Sequence, residues 1–153
     1  NTSTIIFKST VPVLVVPHTY RVKTIKTVLY ASDLENINEE LSTVEGFFQS
    51  MEVKVNLAHF YFPSQISLDQ DSLKAMWRQK HKCLDEVFLE KFELDEGFAG
   101  LLDRLIKKTK PSIIAFFTQT NKTWLDKLFS SSRSETYSFV TKTPMLVFHK
   151  TGK

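Results

Sequence analysis

The side chains that could carry acid–base, nucleophilic or metal chemistry are scattered along this chain. The spacing of its four histidines is not that of metal ligands. These histidines are His18, His59, His81 and His149. Cys83 is interpreted as a small buried or half-buried thiol rather than as a nucleophile. No set of residues indicates a catalytic centre, so we expect neither enzymatic activity nor a metal site.

A few polar residues lie where strands or helices are predicted to end, and such positions commonly carry function. Asp33 follows a predicted strand and would cap the helix or turn that comes next. His59 lies at another strand end, where it is either hydrogen-bonded within the protein or in contact with a ligand. Ser130, Ser131 and Ser132 would cap a helix, although a helix N-terminus is also an anion site.

The composition is that of one soluble globular domain. The 153 residues are 42% hydrophobic and 24% charged, and no apolar run approaches the roughly 18 residues of a membrane span. A single cysteine excludes an intrachain disulfide and favours a reducing cytoplasm. The net charge of +3 is modest. The one cluster of basic residues in the sequence is typical of a solvated helix end rather than of a phosphate-binding patch. The cluster consists of Arg104, Lys107, Lys108 and Lys110. We therefore expect a cytoplasmic protein that binds neither nucleic acid nor membrane.

Strand-like and helix-like segments alternate along the chain. The predicted strands are Val13–Val16, Ile25–Ala31, Val53–Phe62, Val87–Phe92, Ile113–Phe117 and Met145–Phe148. Four helices are predicted. The first is capped by Asn36 and has an apolar stripe from Ile37 to Met51, and the second spans Asp69–Lys82 with Met76 and Trp77 facing inward. The third lies within Glu93–Thr109, and the fourth runs from the three serines to about Thr141. This order predicts a doubly wound, mainly parallel sheet with helices on both faces. Such sheets bind ligands at the carboxyl ends of strands where the winding reverses.

A short sequence motif occurs twice, once near each end of the chain. Thr10–Val16 is echoed by Lys142–Phe148, and the prolines Pro12 and Pro144 are 144 − 12 = 132 positions apart, about the length of one α/β domain. We interpret residues 1–17 as the last strand of a preceding domain copy, 18–24 as a linker, and 25–150 as a complete second copy. An unpaired apolar strand invites aggregation, so we expect Val13–Val16 to dock beside the final strand.

Several segments, in their order and spacing, resemble the universal stress protein family. Ala31-Ser32-Asp33 is similar to the end of that family's first strand, and Leu57-Ala58-His59 is similar to the end of its second. The segment from Pro111 to Phe148 is similar to the family's last third, and the whole resemblance covers about residues 25–149. It implies a five-stranded parallel sheet in the order 3-2-1-4-5, whose last strand pairs antiparallel with that of another copy.

The resemblance also implies where a nucleotide would bind in members that hold one. There, an aspartate after the first strand contacts the nucleoside, and a loop of pattern Gly-x-x-Gly-(x9)-Gly-Ser/Thr wraps the phosphates. In this chain the glycine positions hold Phe117, Thr120, and Ser130 or Ser131. The possible vestigial nucleotide-binding residues are Asp33, Thr118, Thr120, Ser131 and Ser132. Because every loop glycine is replaced, we expect no tight binding of ATP or AMP.

The resemblance and the altered loop together favour a non-catalytic domain that acts in stress response through association. We expect no cofactor, and as partner either the first copy or a second molecule in a homodimer. The strand residues expected to associate are Val13, Leu14, Val15, Val16, Met145, Leu146, Val147 and Phe148. Two alternatives stay open: a weakly hydrolysing domain that binds ATP or AMP, and a small-ligand sensor that uses the cleft where the winding reverses.

Overall fold

A computed structural model gives the arrangement of residues 2–61, 69–91, 97–118 and 142–149. Within these ranges a short N-terminal helix and two strands come first, and from the second strand to the fifth, helices and strands alternate. The elements are α1 (Thr2–Lys8), β1 (Val13–Val15), β2 (Thr27–Ser32), α2 (Ile37–Phe47), β3 (Lys54–Tyr61), α3 (Gln70–Lys80), β4 (Leu84–Lys91), α4 (Phe98–Thr109), β5 (Ile113–Phe117) and β6 (Met145–Phe148). All six predicted strands are present; β5 and β6 have their predicted bounds, and the other four differ by a few residues at their ends. The helix α1 was not predicted.

The strands form one sheet in the order β1-β6-β5-β2-β3-β4. The pairs β2–β3, β2–β5, β3–β4 and β5–β6 are parallel. Counted from β2, this is the predicted 3-2-1-4-5 order with one added strand, so the predicted α/β fold is confirmed. The apolar runs of β5 and β6 are buried throughout, as expected for strands covered on both faces.

The added strand β1 docks within the chain, antiparallel to β6. Val13 lies opposite Val147, and Val15 lies opposite Met145. The predicted docking beside the final strand is therefore confirmed, with one correction at its end. Val16 lies outside β1 and is 51% exposed. Pro17 follows directly, and since proline has no N–H to donate, the ladder ends before it.

One face of the sheet is covered by α1 and α4. The buried residues that these helices contribute are Ile6, Leu101, Leu102 and Leu105, and they pack with inward residues of the strands. α4 carries a strong apolar stripe and ends at Lys110, whose backbone is left-handed (φ 47°, ψ 57°). Val13 and Val15 pack against the same cluster, so β1 and α1 are held by this face together.

The opposite face is covered by α2 and α3. Ile37, Leu41 and Val44 of α2 and Trp77 of α3 are buried there, as their spacing predicted. Two predictions for this face are wrong. Met51 is 47% exposed because α2 ends at Phe47 and the helical spacing no longer applies beyond it. Met76 is 50% exposed because it comes one residue before Trp77 and therefore lies about 100° around the helix from that buried side chain.

The helix starts show how local chemistry sets the boundaries. α3 begins after Asp69, whose carboxylate accepts the backbone N–H of Asp71 at 3.2 Å. Asn36 occupies the predicted cap position of α2, but its side chain makes no capping hydrogen bond. Among the residues that the structure describes, no helix has the length and apolar character needed to cross a membrane.

Candidate functional site

The winding of the sheet reverses between β2 and β5. The chain leaves β2 toward β3 on one side and leaves β5 toward β6 on the other, so the carboxyl ends of these two strands meet at the reversal point. Asp33 follows β2 directly, and Thr118 follows β5. The structure therefore brings together two of the predicted site residues at the position where such sheets bind ligands.

Asp33 lies in a tight turn and is partly exposed. Its Oδ1 accepts the backbone N–H of Glu35 at 3.0 Å, while Ser32 Oγ accepts the N–H of Leu34 at 3.0 Å. Leu34 has a positive φ of 70°, a conformation that non-glycine residues seldom adopt. The capping of this turn, one of the roles expected for Asp33, is thus present. A nucleoside contact by the same carboxylate stays a prediction.

A buried polar network supports this turn from below. The hydroxyl of Tyr30 donates to Glu40 Oε1 at 2.6 Å and lies 3.1 Å from Ser32 Oγ. Burial, and then the charge of Glu40, raises the pKa of Tyr30 well above its ordinary value. The sequence reasoning missed Glu40, although its position three residues after Ile37 placed it on the apolar stripe of α2. An acidic residue on the apolar stripe of a helix indicates that a buried group forms a hydrogen bond with its carboxylate.

His59 also serves the backbone at this edge. It is buried at the end of β3, and its Nδ1 donates to the carbonyl oxygen of Ser32 at 2.9 Å. The interpretation of His59 as a hydrogen-bonded strand-end histidine is confirmed. Since its bond holds the end of β2, His59 positions the residue that precedes Asp33.

Phe117, which the sequence resemblance aligned with the first glycine of the family's loop, is a core residue. It is 3% exposed, and its ring stacks on Phe148 with centroids 5.0 Å apart. Tyr30 meets the same ring edge-on at 5.7 Å. The side chain therefore fills the core between the ends of β2, β5 and β6, a role that glycine cannot perform.

Thr118 is buried and turned toward the end of β6. Its N–H donates to the carbonyl oxygen of Phe148 at 3.0 Å, and its Oγ1 lies 3.4 Å from His149 Nδ1. The remaining predicted site residues, Thr120, Ser131 and Ser132, lie outside the described residues, as does Ser130. Of the residues predicted to form a vestigial nucleotide-binding site, the structure therefore describes Asp33 and Thr118.

A second polar cluster lies at the opposite end of the strands. Glu45 accepts a hydrogen bond from the Cys83 thiol at 3.0 Å, and His81 Nδ1 lies 3.2 Å from its other carboxylate oxygen. Burial, followed by the bond to Glu45, raises the pKa of Cys83 to about 12. Partial burial raises the pKa of Glu45, but the bonds from Cys83 and His81 outweigh it, so that this pKa is lowered.

This cluster is poorly suited to nucleophilic chemistry. A thiol whose pKa is raised is protonated at neutral pH and reacts slowly. The sequence reasoning gave Cys83 no specific partner and missed that His81, two residues before it, shares its carboxylate. Within the described parts of the chain, no group of three or more His, Cys, Asp or Glu side chains is arranged to hold a metal ion.

Comparison with other proteins bears on the fold. No protein-family model matches the chain, and no curated protein sequence matches it. A solved universal stress protein from Archaeoglobus fulgidus is similar in structure, with a TM-score of 0.66 and 12% sequence identity. The likeness covers 97% of this chain and 53% of that one, so this chain spans about half the length of the archaeal protein.

Two further solved universal stress proteins are similar at lower TM-scores. One, solved in complex with cAMP, has a TM-score of 0.49 and 14% identity over 83% of this chain and 98% of its own. The other, from Burkholderia pseudomallei, has a TM-score of 0.45 and 10% identity over 86% of this chain and 100% of its own. The likeness to the archaeal protein shows that this chain has the universal stress protein fold, as its sequence resemblance implied.

Proposed function

We propose that this chain is a non-catalytic domain of the universal stress protein family that acts in the cytoplasm through protein association. It takes part in a stress response without tight nucleotide binding, and its partner is a preceding domain copy or a second molecule. The observation that carries the proposal is the outer edge of the sheet, where β1 presents apolar side chains to solvent.

The N-terminal segment up to Val16 is unusually apolar for an exposed edge. Its solvent-exposed apolar residues are Ile5 at 60%, Val11 at 63%, Leu14 at 54% and Val16 at 51%. β1 is the outermost strand on this side, so its outward backbone groups face away from β6. Edge strands of monomeric proteins are usually protected by charge or by a covering element. Apolar residues at such an edge are typical of a surface that another polypeptide covers.

The arrangement of β1 also supports the tandem origin of residues 1–17. Two similar strand phrases pair antiparallel in the register Val13 with Val147 and Leu14 with Leu146. This is the pairing that the family resemblance implied between the last strands of two copies. The double length of the archaeal protein is in keeping with this proposal. On this view α1 and β1 belong to the preceding copy, and 18–24 is the linker.

The altered loop supports a role without catalysis. At the first glycine position, a backbone able to approach phosphates is replaced by Phe117, whose ring belongs to the core. Thr118 directs its hydroxyl to His149, near the end of β6. These features favour a structural role for the residues at the ends of β5 and β6 over a role in binding phosphates.

The association is tested by placing a charge on the exposed edge. Light scattering of the unaltered chain should give a dimer at micromolar concentration, since an isologous pair would bury the β1 edge of both molecules. Leu14→Lys should shift this equilibrium to monomer, because burying an unpaired ammonium is costly. The folded state should survive, as Leu14 is half exposed in the single chain.

Val22→Lys is the matched control. Val22 is 94% exposed in the segment before β2, so the same charge change there should leave the dimer intact. A chain that stays monomeric at high micromolar concentration contradicts self-association. A dimer that Leu14→Lys leaves unchanged contradicts the use of this edge.

A second function, binding of ATP or AMP with weak hydrolysis, is favoured by one observation. Asp33 is partly exposed beside the point where the winding reverses, where a nucleoside would be contacted. A sensor of small ligands would use the same cleft. Both alternatives require a ligand at the carboxyl ends of the strands, and a nucleotide titration separates the first of them from association alone.

A further inference from the structure

A cavity of about 430 Å³ opens at the amino ends of β5 and β6, the end of the sheet opposite Asp33. Four lysines line it, and they are Lys23, Lys107, Lys110 and Lys142. They come from three separate segments: the linker before β2, the end of α4, and the turn before β6. No acidic residue is among its lining residues in the described part of the chain. We call this cavity the lysine pocket.

The helix dipole does not account for this concentration of charge. Cations at the end of α4 complement the dipole, and Lys107 also pairs with Asp103 at 2.8 Å. Arg104 and Lys108 pair with Glu90 instead. Lys23 and Lys142, however, belong to other segments and are brought to the same cavity by the fold. Lys23, Lys110 and Lys142 line the cavity with no carboxylate among its described lining residues, and an anion bound there would offset the repulsion between their charges.

The walls of the lysine pocket are suited to an organic ligand. Tyr20 and Ile106 supply an aromatic ring and an aliphatic side chain, while Thr143 and Ser112 supply hydroxyls. Ser112 Oγ accepts the backbone N–H groups of Lys26 and Thr27 at 3.0 and 3.2 Å, so its own proton can be donated. The volume lies within the range of sites for small organic ligands.

The backbone at Lys110 is a further sign that its side chain matters. Lys110 has φ 47° and ψ 57°, the left-handed conformation in which a helix usually ends on glycine. Pro111 follows, which restricts the residue before it further. The folded protein is less stable with lysine at this position than it would be with glycine, and backbone strain of this kind concentrates at functional positions.

We propose that the lysine pocket binds a small organic phosphate, with the dianion near the ammonium groups of Lys23, Lys110 and Lys142 and its apolar part against Tyr20 and Ile106. This site is separate from the association edge and from the nucleotide position of the family, so it stands or falls independently of the proposed function.

Phenyl phosphate is the probe, because it joins a dianion to one ring. In an NMR titration at constant ionic strength, the amide signals of Lys23, Lys110 and Lys142 should shift and saturate with phenyl phosphate. Inorganic phosphate should bind the same residues more weakly, since it lacks the ring. Benzyl alcohol, which has the ring without charge, should leave these signals unchanged. Equal binding of the two phosphates would overturn the organic part of the proposal.

Lys110→Gly separates binding from folding. The substitution relieves the left-handed backbone, so the melting temperature should stay the same or rise. Loss of one charge-assisted contact should weaken phenyl phosphate binding by at least about tenfold. Lys80→Gln, on an exposed residue at the end of α3, should bind as the unaltered chain does. Binding unaffected by Lys110→Gly, or weakened equally by Lys80→Gln, would overturn the site.

Discussion

At the scale of single residues, the contact between Tyr30 and Glu40 is the most consequential polar interaction described. Both side chains are buried, at 0% and 1% exposure, and the phenol donates to the carboxylate at 2.6 Å. A carboxylate of this kind can be buried because it accepts strong hydrogen bonds. The same phenol lies beside Ser32, so the bond also steadies the turn that carries Asp33.

We predict that Tyr30→Phe lowers the free energy of unfolding by about 1.5–3 kcal/mol, the range for a hydrogen bond to a charged group. Urea denaturation measures this change. Tyr61→Phe, at a partly exposed position at the end of β3, is the control and should cost less than about 0.5 kcal/mol. Equal effects of the two substitutions would contradict the importance assigned to the buried bond.

The same pair predicts a dependence on pH. The pKa of Tyr30 is raised above 10.0 by burial first and Glu40 second, so the folded protein keeps the phenol proton where the unfolded chain loses it. The stability that this group contributes is complete below about pH 10 and is lost as pH rises beyond that value. Tyr30→Phe should therefore lose less stability than the unaltered chain between neutral and strongly alkaline pH.

At the scale of elements, α1 is the feature that the sequence interpretation did not contain. A seven-residue helix is too short to be stable alone, so packing must hold it. Ile6 supplies that packing, with 1% exposure beside Leu101 and Met145. Its neighbour Ile5 is 60% exposed and points away from the core. The two isoleucines therefore form a matched pair in one helix.

We predict that Ile6→Ala lowers the free energy of unfolding by about 2–4 kcal/mol, because it leaves a cavity in the core. Ile5→Ala should change it by less than about 0.5 kcal/mol. Chemical denaturation of both variants compares the same substitution in the same helix. If the two variants are equally stable, then α1 is not docked as described.

The elements also show which features the sequence could predict. β5 and β6 were predicted with their observed bounds because a fully apolar run between turn residues has one consistent interpretation. α1 was missed because Thr2–Lys8 is short and lacks the repeated spacing that identifies a helix. At the site, Asp33 was found through its place after a strand. Its support by Tyr30 and Glu40 was not, since a contact across ten residues is decided by packing.

At the scale of the whole molecule, the order of strands fixes where a nucleotide would have to bind. It would lie over the carboxyl ends of β2 and β5, with Asp33 on one side and Phe117 on the other. Loss of even two backbone contacts to phosphate, at roughly 1.5–3 kcal/mol each, would weaken affinity by about two to four decades. Asp33 cannot replace them, since a carboxylate repels phosphate.

We predict that magnesium-ATP does not saturate the chain below millimolar concentration and is not hydrolysed above background. Titration calorimetry measures the binding, and phosphate release measures the hydrolysis. Asp33→Ala is the diagnostic variant, because it removes the carboxylate that follows β2, which is the predicted nucleoside contact. Micromolar binding that this variant abolishes would restore the nucleotide-binding alternative.

The pairing of β1 with β6 has a consequence for how the molecule folds. Val15 and Met145 lie opposite each other although 145 − 15 = 130 residues separate them. Closing so long a loop in an unfolded chain costs about 4 kcal/mol, whereas the parallel strands between them assemble through shorter loops. The first strand in sequence should therefore be the last to join the sheet. Its amides should also be the first to exchange with solvent, through an opening that leaves the other five strands paired.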